Sequence, residues 1–124
     1  MAEIIKSIVD FSTTCCELLS TAATGSDYFV PDNADHRVTL IIKNANSAQN
    51  ATVTVMAGNG KLAACGNVAV SVSAGKTVAV PMSRLESARV KTLSGSDAGK
   101  VFVGSSVDTG GSLASLSLAV LSVL

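Results

Sequence analysis

Four apolar runs between residues 37 and 81 alternate with polar residues at a period of two. In the clearest run, Val53 and Val55 alternate with Thr52 and Thr54. Successive side chains of an extended chain point to opposite faces, so this spacing places the valines on one buried surface. β-branched residues lose side-chain freedom in a helix, which also favours strands. The runs therefore predict a sheet.

Turn-forming residues separate these runs, and the shortest separator is Ala74-Gly75 between Val72 and Val78. It predicts a tight hairpin. Weaker alternation over residues 87–93 is typical of an edge strand. Two further strands are expected, one at residues 100–103 and one centred on Leu118, with a mobile loop at residues 105–112 between them.

About eight strands at intervals of 8–12 residues, without a long helix between them, predict an all-β fold. We expect a single antiparallel β-sandwich, Ig-like or jelly-roll-like, with an N-terminal arm. The residues whose alternation predicts burial in its core are Val53, Val55, Val70, Val72, Leu118 and Val120.

The N-terminal part of the chain fits either an arm that binds a neighbouring molecule or a first strand of the chain's own sheet. Ile4, Ile5, Ile8 and Phe11 have nearly helical spacing, which indicates a short amphipathic helix, and residues 13–19 suit a first strand. We expect residues 1–27 to be an arm, or a first strand plus a linker, and residues 28–124 to be the sandwich domain. The candidate partner-binding residues of this segment are Ile4, Ile5, Ile8, Phe11, Leu18 and Leu19.

The amino-acid composition limits the classes of partner that the chain can bind. The formal net charge is +0 and aromatic residues are 3% of the chain, so neither phosphate neutralisation nor base stacking favours nucleic-acid binding. Hydrophobic residues make up 48%. This surplus fits either a tight valine-rich core or burial against other subunits, and we expect a homo-oligomer, with a trimer among the candidates. The most apolar stretch, residues 113–124, is too short to cross a bilayer as a helix.

No enzyme signature survives inspection. His36 is the only histidine, and we expect it to be a turn residue at the entrance to a strand. The segment from Gly58 to Lys61 lacks the spacing of a phosphate-binding loop and predicts a hairpin turn. The aspartates lie in separate loops, and no cysteine pattern suits a metal. We expect no catalytic site, cofactor or metal.

The cysteines are Cys15, Cys16 and Cys65. Because the charged residues near the N-terminus interrupt any signal-peptide core, we expect synthesis in the cytoplasm and reduced thiols. At least two of the three are expected to be small buried hydrophobes.

The order of strands and turns from Tyr28 onward resembles a known family. The segments that carry the likeness are residues 28–31, 37–44, 51–60, 70–77, 85–91 and 99–103, with a Glu86-Ser87-x-Arg89 corner. This pattern resembles the small β-sandwich head-decoration, or capsid cement, proteins of tailed bacteriophages and prophages. It covers about three quarters of the chain and leaves out most of residues 1–27.

The resemblance implies a non-enzymatic structural protein of the virion. It would bind the major capsid protein and copies of itself, and it would lie on the capsid surface after synthesis in the host cytoplasm. The alternative is a surface or secreted Ig-like adhesion or carbohydrate-binding module. The absence of a cysteine pair in the sandwich and the scarcity of aromatic residues count against that alternative.

Overall fold

The computed structural model describes residues 1–10 and 17–123. Within them, two five-stranded sheets face each other, and the chain is an all-β sandwich. The strands are β1 Ala2–Glu3, β2 Lys6–Val9, β3 Thr21–Ala22, β4 Ser26–Phe29, β5 Val38–Asn44, β6 Ala51–Val55, β7 Val68–Val72, β8 Thr77–Pro81, β9 Val101–Val107 and β10 Leu116–Val123. Two single-turn helices, α1 Met82–Leu85 and α2 Ser87–Val90, follow β8. No helix of the described residues is long and apolar enough to cross a membrane.

The first sheet has the order β1-β4-β9-β6-β7, and the second has the order β2-β10-β5-β8 with β3 also paired to β10. Most pairs are antiparallel, as expected. The exceptions are β1 with β4 and β2 with β10, which are parallel. The chain's N-terminal residues therefore add one short strand to an edge of each sheet.

The core lies between the sheets and uses the alternation that the sequence predicts. Val53 and Val55 of β6 are fully buried, and so are Leu118 and Val120 of β10. Val72 is also buried, which confirms five of the six expected core residues. Val70 is only half-buried. It lies on β7, at an edge of its sheet, where none of the strands in the described residues covers its outer side.

The expected N-terminal helix is wrong. Residues 2–3 and 6–9 are strands, and Ile4 crosses from one sheet to the other between them. The Ile4 amide donates a hydrogen bond to the Tyr28 carbonyl at 2.8 Å, and its side chain is 1% exposed. The Ala2 amide donates to the buried Asp27 carboxylate at 3.2 Å. Strand pairing with β4 and β10 replaces the internal hydrogen bonds that a helix would have made.

Other expectations are also corrected. Gly75 has a φ of +74° and a turn forms there, but β7 and β8 lie in different sheets, so they are not a hairpin. Residues 87–93 are not an edge strand: α2 occupies residues 87–90, and only Lys91 makes a single bridge, to Val101. The expected loop at residues 105–112 begins later, because β9 continues to Val107.

The cysteine and turn expectations are partly tested. Cys65 is exposed with a free thiol, so the expectation that at least two of the three cysteines are buried depends on Cys15 and Cys16, which lie outside the described residues. Residues 58–61 belong to the connection between the paired strands β6 and β7, as a hairpin requires. This long connection packs against α2. The Gly58 amide donates to the Arg89 carbonyl at 2.9 Å.

The Glu-Ser-x-Arg segment forms a corner that fastens three parts of the chain. The Ser87 amide donates to the Asp35 carboxylate at 3.0 Å, and the Ser87 hydroxyl bonds to the same carboxylate. Arg89 Nε donates to the Gly66 carbonyl at 2.8 Å, and its guanidinium also reaches the carbonyls on either side of Gly66. An arginine fork suits several fixed acceptors at once, so this side chain holds the long β6–β7 connection against α2.

An amide cluster closes one end of the sandwich. Asn44, fully buried at the end of β5, donates through Nδ2 to the carbonyls of Gln49 at 2.9 Å and Val72 at 3.1 Å. Its Oδ1 accepts from the backbone and side-chain nitrogens of Asn46. Asn46 in turn exchanges hydrogen bonds with the backbone of Ser112. One side chain thus connects β5 in one sheet to β7 in the other.

Glu86 is the one non-glycine residue with positive φ among the described residues, at 63°, and it joins α1 to α2. Side chains with a Cβ are strained in this region, whereas glycine is not. We therefore expect Glu86→Gly to raise the free energy of unfolding by about 1 kcal/mol, measured by urea denaturation. Glu86→Ala is the matched control, because it also removes the carboxylate but keeps the Cβ. An equal gain in both variants would mean that the carboxylate, not the backbone, is the source of the strain.

Candidate partner-binding surface

Residues 17–21 run alongside the N-terminal strands. The Leu19 amide donates to the Ser7 hydroxyl at 2.9 Å, and the Ile5 amide donates to the Thr21 hydroxyl at 3.3 Å. Ser7 is 4% exposed, although its neighbours on β2 are more open. These bonds place the two apolar stretches of the N-terminal segment on one region of the surface.

Four of the six candidate partner-binding residues are exposed on these two neighbouring segments, and we call them the N-terminal patch. Their exposed fractions are 46% for Ile5, 50% for Ile8, 45% for Leu18 and 43% for Leu19. Ile4 belongs to the core instead, and Phe11 lies outside the described residues. Removing large exposed apolar side chains from water is favourable, so the patch is suited to association.

Beside the patch is a cleft of about 240 Å³ on the outer face of the second sheet. Its lining residues are Leu18, Ser20, Ile41, Lys43, Thr77, Ser117 and Ala119. Pockets for drug-sized ligands usually have at least 300 Å³. This cleft is smaller and mostly apolar, so it fits one or two inserted side chains better than a small-molecule substrate.

The second sheet has an apolar outer face here because its alternation is imperfect. Ile41 lies between the buried Leu40 and Ile42 and points outward, and Ala119 does the same on β10. Ala119 is nevertheless only 3% exposed. The break in the polar face of β5 was visible in the sequence, but its meaning depends on Leu18 lying nearby, which no local pattern indicates.

One ion pair borders the N-terminal segment. Lys6 Nζ on β2 lies 2.6 Å from Asp32 Oδ2, just beyond β4. The hydrogen bond from the Lys6 ammonium lowers the pKa of Asp32 below its ordinary value, against a smaller opposing effect of burial. Both side chains are partly exposed, and such pairs contribute little to stability. The pair connects β2 to the segment that follows β4.

His36 and Asp35, which are adjacent in sequence, have separate hydrogen-bond partners. His36 is exposed in a single 3-10 turn, as expected for the entrance to β5, and its Nε2 accepts from Arg37 Nε at 3.3 Å. The Asp35 carboxylate is occupied by Ser87. In residues 1–10 and 17–123, no group of three or more His, Cys, Asp or Glu residues is arranged to hold a metal ion.

No family model, curated protein or solved structure matches the chain.

Proposed function

We propose that the protein is a non-enzymatic structural subunit of a phage virion, which binds the major capsid protein from outside and stabilises the shell. The observation that carries the proposal is the N-terminal patch with its adjoining cleft. A surface of exposed apolar side chains beside a slot for an inserted side chain serves docking to another protein. Repetition over a lattice then multiplies a modest contact by avidity.

The strand order supports a jelly-roll arrangement within the sandwich. Without the two N-terminal edge strands, the sheets read β4-β9-β6-β7 and β3-β10-β5-β8. From β3 onward the chain changes sheet at every connection except the one between β6 and β7. Ig-like domains keep several consecutive strands in one sheet, whereas jelly rolls occur in viral capsid proteins. This order agrees with the virion proposal and counts against an Ig-like adhesion module.

Capsid binding is the direct test. Shells assembled from the major capsid protein of the same genome are sedimented with the full-length chain, and bound protein is measured. We expect the wild-type chain to bind. The double variant Ile8→Ser/Leu18→Ser should bind about tenfold more weakly, since it removes two anchors of the patch while leaving the core intact.

Leu93→Ser is the matched control, because Leu93 is also exposed, at 56%, but lies outside the patch. Unfolding midpoints confirm that all variants are folded. Equal binding by wild type and the double variant would exclude the patch as the capsid contact. Absence of binding by the folded wild-type chain would overturn the proposed function.

A further inference from the structure

The edge strands on the two sides of the sandwich differ in how well they cover the core. On one side, β1 and β2 extend the two sheets and Ile4 fills the space between them. On the other side, β7 ends one sheet and β8 ends the other. The inward-facing valines of these two strands are only half-buried, namely Val68, Val70, Val78 and Val80.

These valines are partly exposed because they lie at a sheet edge, since the core residues beside them are fully buried. Val70 pairs with Val53, and Val68 pairs with Val55, yet both β6 valines are 0% exposed. Within the described residues, no strand pairs with the other side of β7. Backbone donors and acceptors along this side of β7 therefore face outward beside partly exposed apolar side chains.

β7 also lacks the features that protect strand edges from pairing. Its five residues pair with β6 without a bulge, and residues 67–75 contain neither a charge nor a proline. Two of the other edges are blunted. β8 is flanked by Lys76 and ends in Pro81, and β1 has only two residues, one of them Glu3. Charge, proline and shortness are the usual means of preventing edge pairing.

We infer that β7 joins two copies of this chain by antiparallel strand pairing across a two-fold axis at Val70. An antiparallel pair is itself two-fold symmetric, so each residue meets its own copy or a near neighbour. A charged edge would repel itself in this arrangement, whereas residues 67–75 are neutral. The contact is closed, so it covers the edge in both copies without leading to a fibre.

The inferred register makes a specific prediction. With Val70 on the axis, position 69 of one copy lies opposite position 71 of the other. Ala69 and Ser71 are exposed and face away from the core, so substitutions there leave the protomer's own packing unchanged. Like charges directly opposite each other destabilise a strand pair, and opposite charges stabilise it.

The experiment is sedimentation equilibrium of the full chain, without capsids, over a range of concentrations. We expect the mass of two chains for the wild type. Ala69→Lys/Ser71→Lys should raise the dissociation constant by about tenfold or more, because lysines then oppose each other. Ala69→Lys/Ser71→Asp should keep the wild-type affinity or exceed it, because each lysine then faces an aspartate.

A wild-type chain that stays monomeric, or that has the mass of three chains, would overturn the two-fold pairing. Equal dimerisation by both double variants would also overturn it, since another surface would then hold the copies together. Because capsids are absent from this assay and the N-terminal patch is unchanged, its outcome is independent of the capsid-binding test.

Discussion

Asn44→Ala is expected to lower the free energy of unfolding by about 3–4 kcal/mol. The wild-type side chain is fully buried and uses its two donor hydrogens and two acceptor sites. Its loss leaves the carbonyls of Gln49 and Val72 and two Asn46 nitrogens without this partner. A buried group without a partner costs its full desolvation free energy, so the loss exceeds the value of an ordinary hydrogen bond.

Asn59→Ala is the matched control for this prediction. Asn59 also bonds through both ends of its amide, to Ser94 and to the Leu93 amide, but it is exposed. Water can replace those partners, so the loss should be under about 1 kcal/mol. Urea denaturation followed by circular dichroism measures both. Similar losses at the two positions would show that burial of the Asn44 cluster is not what makes it stabilising.

Gly58→Ala is expected to cost about 2–3 kcal/mol of unfolding free energy, through a steric clash and not a lost contact. A Cβ at this position would lie 2.2 Å from the Lys91 carbonyl oxygen and 2.9 Å from that of Val90. Both are backbone atoms at the end of α2, so a side-chain rotation cannot relieve the clash. The β6–β7 connection would have to move away from the corner that Arg89 holds.

The control is Gly104→Ala on β9, where the nearest atom to a new Cβ is 3.8 Å away. That distance is ordinary contact, and alanine is the better strand residue, so stability should be unchanged or slightly higher. Thermal or urea unfolding distinguishes the two variants. If Gly58→Ala were tolerated as well as Gly104→Ala, the connection would not be packed on α2 as described.

The strands that the sequence predicts well are those whose surroundings match a period of two. β5, β6 and β10 are central and have one face in the core, so their valines, leucines and isoleucines alternate with polar residues. The failures occur where local pattern does not determine the partner. Ala74-Gly75 carries a turn signal in either case, but only tertiary packing decides whether the flanking strands pair or separate into two sheets.

The predictions for the short elements were wrong for a different reason. α1 and α2 have four residues each, which is less than the length over which a helical period can be recognised. In the N-terminal segment, Ile4 and Ile8 are four residues apart, which suits a helix and a strand equally. Their different burial follows from the change of sheet between them, and a single sequence does not indicate that change.

The sequence predicted which segment contributes to the candidate surface, but not which other strands lie beside that segment. Apolar composition pointed to residues 4–19, and four of the six named side chains are exposed. The cleft was not predicted, because Leu18 lies against β5, β8 and β10, which are distant in sequence. The same holds for the β7 edge, whose neutrality is visible in the sequence although its position at the end of a sheet is not.

The pairing of β2 with β10 also has a consequence for the order of events during synthesis. Lys6 lies beside Val120, so the residues of β2 have a partner that is translated only after all the intervening strands. Contacts of such long sequence separation form slowly, and domains fold as the ribosome delivers them. β2 must therefore remain without this partner while the intervening strands are made, so this edge of the second sheet closes only after β10 has been translated.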